Sequence, residues 1–148
     1  MFVDTSAIVA VLCGESDAAE LAQRLAVAER RFTSPVVRLE ACMVLASRLD
    51  IAPAQANALF DDFLEEANLS IIPINDKIGI LAVAESAVSA FARFGRGRGA
   101  KAQLNFGDCL SYACAKAYRS PLLVKGDDFS QTDMATTNPN ASRNEQGQ

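Results

Sequence analysis

Apolar and polar positions follow two periods along this chain. Met1-Phe2-Val3 meets an acid, Asp4, and two hydroxyls, Thr5-Ser6, before the apolar run Ala7-Ile8-Val9-Ala10-Val11-Leu12. The pattern predicts a strand turning straight into a buried helix, with Thr5 or Ser6 as its N-cap. From Glu15 to Arg31, small and apolar residues recur at three and four spacing, which predicts a second, amphipathic helix. Phe32-Thr33-Ser34 reads as a brief strand or turn. Ser34-Pro35 then supplies a cap and a proline at the first helical position of a third helix, running to about Leu49. Pro53 opens a fourth helix on the same logic, with Leu59, Phe60, Phe63 and Leu64 on its buried face.

Leu69 to Ile74 is short, β-branched and bounded by polar residues, so it predicts a strand. An alanine-rich helix from about Asp76 to Phe94 follows, ending in the flexible basic loop Gly95-Arg96-Gly97-Arg98-Gly99. Asn105 to Arg119 forms another helix, capped by Asn105 with Asp108 three residues on, and Pro121 to Val124 is a fourth strand. Strands alternating with helices predict an α/β sandwich around a parallel sheet. Residues 1–133 make up this domain. Residues 134–148, rich in Thr, Asn, Ser and Gln, form a polar tail expected to be disordered.

Composition narrows the chemistry. The chain has 148 residues, 50% of them hydrophobic and 22% charged, enough for one domain with a substantial core. No apolar run approaches the roughly 18 residues of a membrane span, and no basic region precedes the first apolar residues, so a cytoplasmic location is expected. Cys13, Cys42, Cys109 and Cys114 lack paired spacing and read as reduced small hydrophobes. Histidine is absent, which removes Ser-His-Asp triads, Cys-His dyads and His-ligated metals. Catalysis would have to come from carboxylates, hydroxyls, lysine or a bound ion. The net charge of −4 argues against general polyanion binding, so any such binding must be local.

Several acids stand in unusual places. Asp4 lies at a strand end, where ligands bind in open parallel sheets. Glu40 sits in the third helix among Val36, Val37, Met43 and Val44, a carboxylate in an apolar stripe, with neither Arg38 nor Arg48 on its face. Asp108 lies in the first turn of its helix, where capping is the structural alternative. Asp127 and Asp128 follow the last strand directly. Carboxylates about 4 Å apart repel by roughly 4 kcal/mol at an effective dielectric near 20, so convergent acids either take up protons or hold a hard cation. Mg²⁺ or Mn²⁺ suits oxygen ligands and supports phosphodiester hydrolysis without histidine. Arg96, Arg98 and Lys101, in an acid-free stretch before Asp108, are the candidate phosphate contacts, and the loop has no aromatic residues for base stacking.

Four segments in order, Phe2-Val3-Asp4-Thr5-Ser6-Ala7, Glu40-Ala41, Leu104 to Cys109 with Tyr112-Ala113, and Leu122 to Phe129, resemble the PIN-domain family and, within it, the VapC toxins of toxin-antitoxin pairs. The resemblance covers nearly the whole chain to about Asp133. It implies a PIN-like three-layer α/β/α sandwich around a short parallel sheet of four to five strands. It also implies a Mg²⁺-dependent endoribonuclease, with Mn²⁺ able to substitute, that is a homodimer held inactive by a cognate VapB-like antitoxin. Asp4, Glu40 and Asp108 match the family's first three acids; Asp4 and Asp108 are the expected metal ligands, and Glu40 positions or activates water. The fourth acid is Asp127, with Asp128 as the alternative, because Gly126 stands where many relatives place it. Thr5 or Ser6 adds a hydroxyl to the metal's water network. Haloacid-dehalogenase-like phosphatases also place an acid after the first strand, but need a second Asp where this chain has Ser6. A PIN-like module that only binds RNA or a partner is the non-enzymatic alternative.

Overall fold

Phe2 and Val3, both fully buried, form the first strand, β1 (Phe2–Val3), and the chain enters α1 (Thr5–Leu12) one residue later. The computed structural model describes residues 1–73 and 80–134, with side chains for 80–82 excepted. After α1 come α2 (Ala18–Val27), β2 (Phe32–Thr33), α3 (Pro35–Leu49), α4 (Pro53–Glu66) and β3 (Ser70–Ile71). Then follow α5 (Ile80–Phe94), α6 (Phe106–Ala117), β4 (Leu122–Leu123) and a 3-10 turn (Asp128–Gln131). The expected tail beyond Met134 and the expected start of the fifth helix near Asp76 lie outside the described residues.

The four strands are parallel in the order β3-β2-β1-β4, with Phe2 opposite both Phe32 and Leu122, and Thr33 opposite Ile71. Successive strands step outward from β1 to β3, and the chain then crosses back to place β4 on the other side of β1. Because such crossovers are right-handed, α1 to α4 cover one face of the sheet and α5 with α6 the other. The contacts of α1 with α2 and α3, of α3 with α4, and of α5 with α6 agree with this, while α3 also meets the start of α6, where Glu40 lies against Gly107. The order of connection reverses between β1 and β4. A crevice therefore opens outside their carboxyl ends, where Asp4 and Lys125 emerge.

Local chemistry sets the element ends. Ser34 caps α3, its hydroxyl accepting from the Val37 N–H at 3.3 Å, with Pro35 as the first helical residue. At α4 the cap is Ala52, whose N–H is met by the Gln55 side chain at 3.0 Å. The α1 cap differs from expectation. Asp4, in extended backbone, accepts from the Ser6 N–H, and Thr5 and Ser6 lie inside the helix. The helix expected from Glu15 to Arg31 is limited to Ala18–Val27, since the backbone turns extended at Ala28; Arg31, in the connection that follows, donates to the carbonyls of Ala26, Ala28 and Ala67. In α4 the buried stripe is Ala56, Phe60 and Phe63; Leu59, one position off that stripe, is exposed. The third strand closes at Ile71. All four cysteines are free thiols, and burial pushes Cys114 up to about 11.

Candidate acidic active site

Three acids from three elements line one pocket of about 370 Å³ at the carboxyl end of the sheet: Asp4 after β1, Glu40 from α3 and Asp108 from the first turn of α6. Asp4 is 3% exposed, and both of its oxygens are engaged. Oδ1 accepts from the Ser111 hydroxyl at 2.6 Å; Oδ2 accepts from the Ser6 N–H at 2.9 Å and the Ser6 hydroxyl at 2.7 Å. Ser6 in turn accepts from the Lys125 N–H at 3.0 Å, which ties the loop after β4 to the same carboxylate. These bonds fix the orientation of Asp4 before anything binds.

Glu40 is half-buried rather than enclosed, and Met43, part of the apolar stripe expected around it, is 65% exposed. Its Oε2 accepts from the Thr5 hydroxyl at 2.6 Å. Neither arginine on α3 neutralises it: Arg38 pairs with Asp61 at 2.7 Å and Arg48 pairs with Glu15. The Glu40 carboxylate packs against the start of α6, where a Cβ at Gly107 would lie 2.5 Å from Oε2. Glycine at 107 is therefore what lets this carboxylate approach Asp108's helix end.

Asp108 both caps and faces the pocket. Its N–H donates to Asn105 Oδ1 at 2.9 Å, and its Oδ2 accepts from the Asn105 N–H at 2.8 Å. The capping alternative is thus correct, yet it does not exhaust the residue. Burial, with the nearby charges of Asp4, Asp128 and Glu40, raises the Asp108 carboxyl to about 6 against the lowering effect of the Asn105 hydrogen bond. Repulsion among these groups is what a cation relieves.

The remaining expected residues are placed less uniformly. Asp127 is exposed, caps the 3-10 turn without a side-chain hydrogen bond, and is not among the pocket residues. Asp128, also exposed, is the member of the pair whose charge reaches Asp108. Arg96 lines a separate apolar groove of about 490 Å³ between α5 and α6, which shares Asn105 with the acidic pocket. The basic loop is closed rather than free, with Arg96 N–H donating to Leu104 O at 3.0 Å. Arg98 stacks over Phe91 at 5.6 Å, and Lys101 is exposed. Glu15, Arg48, Lys125 and Gly126 also line the acidic pocket. Ser111, a buried polar residue among the alanines and cysteines of α6, was detectable as an off-pattern position three residues after Asp108.

Among the described residues, no three acidic or sulfur side chains form a ready-made metal cage. An all-oxygen donor set in which Asp4 and Asp108 share one pocket suits a cation that keeps most of its waters, as Mg²⁺ does when held by one or two carboxylates.

Residues 1–134 match the PIN domain. The chain belongs to the PIN-domain family, and within it stands with the VapC ribonucleases. It is 48% identical over 134 residues to ribonuclease VapC28 of Mycobacterium tuberculosis, covering 90% of this chain and 95% of that one. With VapC ribonuclease R02377 of Rhizobium meliloti it shares 39% identity over 145 residues, covering 90% and 98%. Its fold is similar to the crystal structure of Mycobacterium tuberculosis VapC20, a sarcin-ricin loop cleaving toxin, at a TM-score of 0.63 and 20% identity, covering 87% and 92% of the two chains.

Proposed function

We propose that this chain is a metal-dependent endoribonuclease, the toxin of a VapBC-type pair, acting in the cytoplasm on RNA phosphodiester bonds. The observation that carries this reading is the convergence of Asp4, Glu40 and Asp108, from three elements, on one pocket at the topological switch point. Asp4 and Asp108 hold Mg²⁺, with Mn²⁺ as a substitute. When bound, the ion supplies stabilisation for charge developing on the phosphate and lowers the pKa of a water. Ser111 and Ser6 hold Asp4 in a fixed orientation, and Thr5 holds Glu40 where it orients the attacking water or takes its proton. The fourth acid is Asp127 or Asp128, with the coupling to Asp108 favouring Asp128. A VapB-like antitoxin and a second copy of the chain are the expected partners.

The test is cleavage of a mixed RNA pool by the purified chain. Cleavage is expected with Mg²⁺, to stop on adding EDTA, and to fall at least 100-fold in Asp4→Asn and Asp108→Asn, the order typical of removing an electrostatic contributor. Cleavage that persists in EDTA, or in either variant, refutes the acidic-site mechanism.

A further inference from the structure

Besides its acids, the pocket is lined by two cations, Arg48 from the last turn of α3 and Lys125 from the loop after β4, that the proposed chemistry leaves without a task. Both are gathered by one carboxylate. Glu15 Oε1 pairs with Arg48 and Oε2 with Lys125, and Lys125 Nζ also lies 3.2 Å from Asp17 Oδ1. The two side chains remain 54% and 33% exposed where they line the pocket. Lys125 is held at a fixed distance from the acids by its own backbone, through its N–H bond to Ser6 and the Ser6 bond to Asp4.

We infer that Lys125 and Arg48 receive the phosphate of the RNA at the acidic pocket, and that Glu15 holds them in place until it arrives. The inference rests on the ribonuclease reading above and extends it to substrate contact. Four acids, Asp4, Glu15, Glu40 and Asp108, line this pocket with these two cations, so its field repels a phosphodiester unless cations turn toward it. The Arg48–Glu15 pair is exposed and the Lys125–Glu15 pair half-buried, and each cation that leaves the Glu15 carboxylate gains a phosphate oxygen of the same charge in its place, so the exchange costs little. By contrast, Arg96 lines the neighbouring apolar groove, and Arg98 stacks on Phe91. The residues that meet phosphate at the pocket itself come from the end of α3 and the loop after β4, and the Glu15 that gathers them comes from the turn before α2.

The experiment is fluorescence-anisotropy binding of a short labelled single-stranded RNA of mixed sequence, in EDTA at graded salt, with melting temperatures recorded and Mg²⁺-dependent cleavage run in parallel. Each of Lys125→Ala and Arg48→Ala is expected to reduce the slope of log affinity against log salt by about 0.7, the share of one phosphate contact on a single strand. Affinity should fall about fivefold per variant, the upper end for an exposed charge contact. Lys125→Arg, which keeps the charge, should restore the wild-type slope. Variants that melt lower but bind with the wild-type slope show a purely structural ion cluster and overturn the inference, as does wild-type binding that is insensitive to salt. A wild type that binds RNA with these slopes but never cleaves it overturns the ribonuclease reading alone.

Discussion

Asp108 carries two demands on one side chain. As the partner of Asn105 it stabilises the start of α6, while as a pocket acid it faces Asp4 and Glu40. Its carboxyl, raised from an ordinary 3.8 to about 6, binds its proton more tightly in the folded protein than in the unfolded chain. Ionised Asp108 thus costs stability in full above about pH 6 and costs nothing below about pH 4, so its contribution falls as pH rises between them. Solvent screening of a partly exposed group reduces that cost to about 1 kcal/mol. Asp108→Asn keeps an oxygen to accept from the Asn105 N–H and removes the charge. Without added metal it should melt about 3 °C higher than wild type at pH 7.5 and at the same temperature near pH 4, while losing cleavage. A variant less stable than wild type at pH 7.5 would show that the cap outweighs the repulsion.

The site is also set by how elements meet. The first turn of α6 approaches α3 closely only because position 107 has no side chain, and a Cβ there would sit 2.5 Å from Glu40 Oε2. Glu40 has a flexible side chain, so Gly107→Ala displaces its carboxylate from the Thr5 hydroxyl without forcing the helices apart. Expected are a change in melting temperature of no more than about 2 °C, from helix propensity and local strain, and a cleavage rate lowered roughly 10- to 100-fold, as misplacement of a positioned group does. In a Glu40→Ala background the same substitution should cost nothing further, the signature of two changes acting through one group. An undiminished loss in that background would assign the effect to α6 itself.

Element identity was readable because period and capping coincide: Ser34-Pro35 and Asn105 with Asp108 announce helices α3 and α6 locally. Glu40 stood out for the same reason, as a charge in an apolar stripe. The contacts that join elements left no such local trace. Glu15 and Lys125 are 110 residues apart, and Ser111 is 107 from Asp4, so neither pairing has a spacing to detect. The basic loop shows the same limit from the other side. Composition marked Arg96 and Arg98 as cationic, but only the fold shows Arg96 in the apolar groove and Lys125 at the acids. Asp127 was the sequence's choice over Asp128; both follow the turn at Gly126, whose φ of 92° redirects the chain, and only the fold shows the Asp128 charge reaching Asp108.

At the scale of the molecule, the sheet order puts the acidic crevice where connections diverge, so folding brings together carboxylates whose mutual repulsion a bound cation relieves. Binding of Mg²⁺ should consequently stabilise the whole fold and not merely order a loop. At a free concentration 100 times its dissociation constant, the ion would add about 2.7 kcal/mol if it binds only the folded chain. That corresponds to a melting shift of roughly 5–10 °C for a domain of this size. The shift should shrink between pH 7.5 and pH 5, because protons compete for Asp108 as its carboxyl passes about 6. It should vanish in Asp4→Asn and persist in Lys125→Ala, since the first removes a proposed ligand and the second only a phosphate contact. Calorimetry or differential scanning fluorimetry of the three proteins at both pH values reads all of this. An equal Mg²⁺ shift in Asp4→Asn would mean that the cation stabilises the acidic surface as a whole, and the assignment of Asp4 and Asp108 as its ligands would fail.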